Sequence, residues 1–279
     1  MVDITPAEAR TDEGIHLGGF ELGRKSKGVR DPIYAHALYL DDGRAPFVIV
    51  SIDTIGYMRD DVLKVRELAS DAFRDRIVVA SIHDHAAPDT VGYWGSALGI
   101  LPMCTGFKPE YKVTLRHQIA QAIGQAAAAA RPARVRAGTA MAPADLSLNI
   151  NPQIRDQKDD LVRVLSFDGE DGAPIAVVAN WGCHAEAMWN DTLLSADWPG
   201  VFYDRWRRDV GGVPIFVEGG LGGLVTVNPG PDKMKLGKDI DEVFEKHMPT
   251  ADRVALRDRI GNAFADVVKQ AVAAAGEPA

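Results

Sequence analysis

The sequence predicts an α/β protein: a layered sandwich of mixed β-sheets flanked by helices, with two pseudo-repeated halves. Three observations carry that prediction. Short apolar runs of strand length alternate with longer stretches whose apolar residues recur at helical spacing. Turn signals join pairs of these runs in two places. The order hairpin, helix, strand occurs twice, about 128 residues apart.

The elements follow in order. Ala35–Leu40 and Phe47–Ile52 read as strands joined by Asp41-Asp42-Gly43-Arg44, a turn of the hairpin kind. Asp60–Phe73 carries Val62, Val65, Ala69 and Phe73 at helical spacing, with two acidic residues suited to a helix start. Ile77–Ile82 is short and apolar, as a buried strand is. Glu110–Ala130 reads as a long helix, Arg134–Ala140 as a strand, and Leu161–Phe167 with Ile175–Trp181 as a second hairpin. Gly200–Asp209 is helical and Val213–Val217 β-like. Lys233–Pro249, rich in charge, reads as a mobile lid or a solvated connection. Ala251–Ala275 closes the series as a helix with Ile260, Phe264, Val267 and Ala271 on one face.

Composition sets the outer limits. At 279 residues, 46% hydrophobic and 25% charged, the chain has the balance of a soluble globular protein and reads as a single domain over 1–279. No apolar run approaches the roughly 18 residues of a membrane span. A net charge of −8 without a basic cluster argues against a nucleic-acid partner. These limits leave a small-molecule partner and a homo-oligomer open. Cys104 and Cys183 form no CxxC pair, and the sequence leaves open whether they join. The N-terminus has no signal-peptide pattern, so the chain reads as cytoplasmic as written; a trimmed leader of a secreted or periplasmic protein would leave the same residues.

The repeat directs attention to the strand ends, where α/β folds aim polar side chains at a shared crevice. Asp53 ends one strand, and Asn180–His184 ends its counterpart. His83-Asp84-His85 follows the next strand, and Glu218-Gly219-Gly220 follows its counterpart. Alternate residues of an extended segment project to one side, so His83 and His85 can face one cation; otherwise they are strand-end histidines bonded in a loop. His184 sits beside small Gly182 and Ala185, which leave room for a ligand. Asp197, before Pro199, is either a functional acid or the cap of the helix that follows. The glycines from 219 to 223 allow backbone amides to approach a substrate, although the segment is neither a Walker loop nor a dinucleotide fingerprint. Tyr93-Trp94 and Leu98–Met103 form an apolar stretch suited to lining an acyl pocket or to packing on the core. His16, His36, His117 and His247 read as structural or surface residues.

An ordered set of motifs gives the sequence a specific likeness. Val2-Asp-Ile-Thr-Pro, the segment Gly28–Leu38, Val50-Ser-Ile-Asp, His83-Asp-His-Ala-Ala-Pro, Asn180-Trp-Gly-Cys-His, Leu194-Ser-Ala-Asp-Trp-Pro-Gly and Gly219-Gly-Leu-Gly-Gly run in order over roughly residues 2–230. Together they resemble the N-terminal catalytic domain of neutral/alkaline ceramidases, most of all its bacterial branch. The resemblance implies a zinc-dependent amidohydrolase that cleaves an N-acyl bond. It implies His83 and His184 as zinc ligands and His85 as the group facing the scissile carbonyl, with the rings oriented by carboxylates such as Asp53 or Asp197.

The departures from that pattern are equally specific. The family's GD-x-SPN segment, with its nucleophilic serine, reads Gly222–Pro229 here, where Thr226 offers the hydroxyl. Asn149-Ile150-Asn151 is followed by Pro152 instead of the family arginine, leaving Arg155 as a substitute. The family's remaining zinc ligands, a Glu and a Tyr, come from farther downstream than this sequence extends. Glu218 or Asp197 then stands in for a lost ligand or serves as base, and Asp53 is a further candidate ligand. Three readings follow: a zinc hydrolase of amide or ester bonds, a decayed or truncated relative acting as a binding module, and a metal-dependent hydrolase of lactones or phosphoesters.

Overall fold

The computed structural model describes residues 1–98, 101–151, 153–155 and 157–276. They fall into two units, Met1–Ala133 with Thr192–Ala196 and Arg134–Asp191 with Asp197–Ala279. Residues 99 and 100 of the apolar stretch Leu98–Met103, and Pro152, lie outside the described residues.

The first unit is built around β1 (Val2–Asp3), β2 (Tyr34–Leu40), β3 (Phe47–Ile52) and β4 (Ile77–Ser81), in the sheet order β1-β2-β3-β4. The turn between β2 and β3 closes as its residues demand. Asp41 accepts the Gly43 amide at 2.8 Å, Asp42 accepts the Arg44 amide at 3.0 Å, and Gly43 takes a φ of 80°. Ala35 thereby pairs with Ile52 and Leu40 with Phe47. β4 runs parallel to β3, which requires a crossover, and α1 (Arg59–Glu67) supplies it. After a two-stranded ribbon, β5 (Ala97–Leu98) and β6 (Leu101–Pro102), α2 (Pro109–Ala128) lays Tyr111, Leu115, Ile119, Ala122 and Ile123 across β1, β2 and β3. Leu115, Ile119 and Ile123, buried in this way, each contribute about 1.5–3 kcal/mol.

The helical spacing over 60–73 runs past the end of α1. Ser70 stops it: its hydroxyl accepts the Ala72 amide at 3.3 Å and its carbonyl accepts Phe73 and Arg74. Phe73 still reaches the core, from a turn just before the short 3₁₀ helix Arg74–Arg76.

The second unit repeats the order. β9 (Leu161–Gly169) and β10 (Pro174–Trp181) form an antiparallel hairpin; α3 (Asp197–Asp209) then carries the chain to β11 (Val213–Glu218), parallel to β10. β7 (Ala133–Met141) completes the sheet, in the order β11-β10-β9-β7. β8 (Ser147–Asn149) and β12 (Val225–Val227) pair separately. α6 (Thr250–Ala273) packs on β9 and α3, and around Phe264 gather Trp181, Trp198, Phe202 and Phe216, with ring centroids 5.1–5.6 Å from it.

Lys233–Pro249 differs from the lid or connection its composition predicts. α4 (Pro231–Met234) and α5 (Ile240–His247) occupy it, and Ile240, Val243, Phe244 and Met248 are buried. No helix among the described residues is long and apolar enough to cross a membrane.

Candidate active site

In the first unit the candidate side chains follow β4. His83 has a left-handed backbone, with φ 59°. The two histidines therefore do not stand on one continuous extended segment, yet their rings still meet edge to face with centroids 4.8 Å apart. Between them Asp84 is buried and its Oδ1 accepts the Ala86 amide at 2.8 Å, which tightens the turn. His83 Nδ1 lies 2.8 Å from the Ile55 carbonyl. A carbonyl only accepts, so Nδ1 carries the hydrogen and Nε2 keeps its lone pair.

Asp53 belongs to the β2–β3 hairpin. Its Oδ2 accepts the Tyr34 amide at 2.7 Å and lies 3.9 Å from His36 Nε2, both side chains being fully buried. His36 is thus a structural histidine, as read from the sequence. The Trp94 amide donates to Asp89, whereas Tyr93 is 63% exposed.

In the second unit the corresponding segment follows β10. His184 Nδ1 lies 2.6 Å from the Val225 carbonyl, which also accepts the His184 amide at 3.2 Å. The same reasoning leaves Nε2 as the donor atom. Trp198 steadies this segment from α3, its indole N–H donating to the His184 carbonyl at 3.0 Å. Burial holds the His184 pKa below its ordinary value, against the opposing pull of the Val225 carbonyl. The ring is therefore neutral at neutral pH, the form a metal requires.

Three carboxyls accompany His184, those of Asp197 and Glu186 buried and that of Glu218 partly buried. Asp197 opens α3 and accepts amides from Ala187 at 3.0 Å, Met188 at 2.8 Å and Trp198 at 2.6 Å. Burial pushes its pKa up to about 6 despite those bonds. Glu218 ends β11; its Oε1 accepts Cys183 and Gly219 amides, each at 3.0 Å. Its Oε2 is buried with no hydrogen-bond partner among the described residues, and burial raises its pKa strongly. Gly182 and Gly219 let these strand ends touch, since a Cβ on Gly219 would stand 2.8 Å from the Gly182 nitrogen. Glu186 has no role in the sequence reading, yet it stands two residues beyond His184, the spacing already weighed for His83 and His85. It is buried, its pKa is raised to about 7 by burial, and it accepts the hydroxyl of Thr226.

Thr226 is 2% exposed, with its proton directed at Glu186. Arg155 is exposed, and its carbonyl accepts the Asn149 amide at 3.3 Å. Both cysteines are free thiols, Cys104 exposed and Cys183 buried.

Mixed sheets, each with a parallel pair of strands followed by histidines or carboxyls, make this a layered α/β fold. The chain superimposes on the crystal structure of neutral ceramidase from Pseudomonas aeruginosa with a TM-score of 0.78 at 20% identity, covering 99% of this chain and 44% of that one. It matches a ceramidase complexed with C2 with a TM-score of 0.77 at 20% identity, covering 99% and 43%. The chain thus spans less than half the length of the structures it matches. No family model matches the chain, and no curated protein matches it.

Proposed function

We propose that this chain is a zinc-dependent hydrolase of N-acyl (amide) bonds, ceramidase-like, acting on a lipid-like substrate. His83 and His184 hold the zinc through Nε2, and His85 faces the scissile carbonyl. The observation that carries this reading is the matched pair of carbonyl contacts, Ile55 on His83 and Val225 on His184, which leaves each ring with Nε2 as its donor.

Zinc bound there supplies a Lewis acid that polarises the carbonyl and acidifies a water. The chain supplies the rest. His85 hydrogen-bonds the carbonyl oxygen as charge gathers on it. Glu218, through Oε2, takes the proton of the attacking water and delivers it to the departing amine. Asp197 is a positioning residue, because its carboxylate is committed to backbone amides that frame the His184 segment. Thr226 likewise fixes Glu186 and leaves the attack to water. Asp53 acts through the hairpin it closes.

The test pairs metal content with turnover. Purified wild type is expected to hold one zinc and to hydrolyse N-acyl sphingoid substrates in a chelator-sensitive way, while His83→Ala and His184→Ala lose both properties. Zinc retained by both variants, or hydrolysis indifferent to chelator, overturns the metal reading. Turnover confined to carboxylic ester, lactone or phosphoester panels overturns the amide specificity.

A further inference from the structure

We propose that the strap Gly18–Arg24 is the device that positions the His85 imidazole, with Arg24 as its positioning residue. The proposal rests on the reading that His85 acts on the scissile carbonyl.

Arg24 is buried, and its Nη2 donates to two carbonyls, Gly18 at 2.6 Å and His85 at 2.5 Å. One belongs to the strap and the other to the histidine loop, so a single nitrogen ties the two segments together. The planar guanidinium fixes the angle between those two bonds, which a rotating lysine ammonium does not. Backbone bonds hold the strap on either side: Leu17 donates to the Arg24 carbonyl at 2.9 Å, Gly18 to Ala87 at 2.9 Å, and Asp89 to His16 at 2.8 Å.

The strap then closes on the ring itself. Gly19 has φ 74°, and a Cβ there would stand 2.5 Å from His85 Nδ1, so glycine alone lets the backbone lie against that edge. Phe20 follows with φ 55° and sets its ring edge-on to His85, centroids 5.0 Å apart. The Arg24 guanidinium carbon lies 5.7 Å from the Phe20 centroid. A phenylalanine in the left-handed region is strained, and such strain persists where surrounding bonds over-determine it. With His83 on one side and the strap on the other, the imidazole is held in one orientation.

Phe20→Leu, Arg24→Lys and Arg24→Met in the full chain test this. The readouts are zinc content, thermal midpoint, kcat and KM on an N-acyl substrate, and the imidazole ¹⁵N–¹H spectrum. Phe20→Leu is expected to keep its zinc and its fold, to lower kcat about 10–100-fold with KM nearly constant, and to shift the His85 resonances while those of His184 stay in place. Arg24→Lys is expected to recover part of what Arg24→Met loses. His85 resonances unmoved in all three variants, or a kcat loss matched by lost folded protein, overturn the proposal. The spectrum needs no substrate, so wild type without N-acyl activity sinks the functional reading alone, while an unmoved His85 signal sinks the positioning role alone.

Discussion

Asp197 carries a pH dependence whose sign follows from its surroundings. Its folded-state pKa is raised from 3.8 to about 6, chiefly by burial. Between those values the folded state holds a proton that the unfolded state has released, so stability falls as pH rises through this window. The two-unit shift corresponds to roughly 3 kcal/mol. Asp197→Asn removes the titration, so the stability advantage of wild type over this variant should be largest near pH 4 and shrink toward pH 7. Urea unfolding across that range checks it, and a constant difference would refute the assignment. At this scale the strand-end placement of His83, His184 and Glu218 was legible because a polar residue at the end of an apolar strand is conspicuous. The carbonyl that fixes each ring was not legible, since Ile55 and Val225 act through backbone atoms that every residue has. Glu186, at the same spacing from His184 as His85 from His83, does not stand out in the sequence, because a lone acid beside a histidine carries no burial information there.

Among the elements, strand and helix interiors follow the apolar period closely, and the departures arise where side chains bond to backbone. Ser70 ends α1 early, and Asp197 starts α3 three residues before the predicted Gly200. The segment from Lys233 to Pro249 departs most, because Ile240, Val243, Phe244 and Met248 within it are buried. Phe244 is fully buried and stacks on Trp189 with centroids 4.2 Å apart. Arg253 then satisfies the carbonyls at the end of α5, donating to Phe244 at 2.6 Å and Met248 at 2.8 Å, and also binds Asn190 at 2.8 Å. A charged, proline-containing stretch reads as solvated until such a partner, distant in sequence, is known. Phe244→Ala should therefore lower stability by about 3–5 kcal/mol, the range for a buried aromatic truncated to alanine. Denaturant unfolding measures it. A loss below about 1 kcal/mol, typical of a surface substitution, would return the segment to the status of a loose connection.

For the molecule as a whole, the repeat was legible because parallel pairing imposes a long crossover. A hairpin followed by a helix and another strand leaves the same trace in both units, β2-β3-α1-β4 and β9-β10-α3-β11. The short ladder of β8 and β12 was not legible, since three residues carry no period. Metal removal is informative about more than catalysis. A ligand that binds only the folded state stabilises it by about 2.7 kcal/mol at a hundredfold excess over its Kd. In a chain of this length each kcal/mol moves the thermal midpoint by roughly 2 °C, so chelation should lower it by about 5 °C. His83→Ala and His184→Ala should each abolish that shift completely, although they alter different units, because either loss leaves zinc a single protein ligand of the proposed pair. A shift that survives in either variant would mean that the proposed pairing of His83 with His184 is wrong.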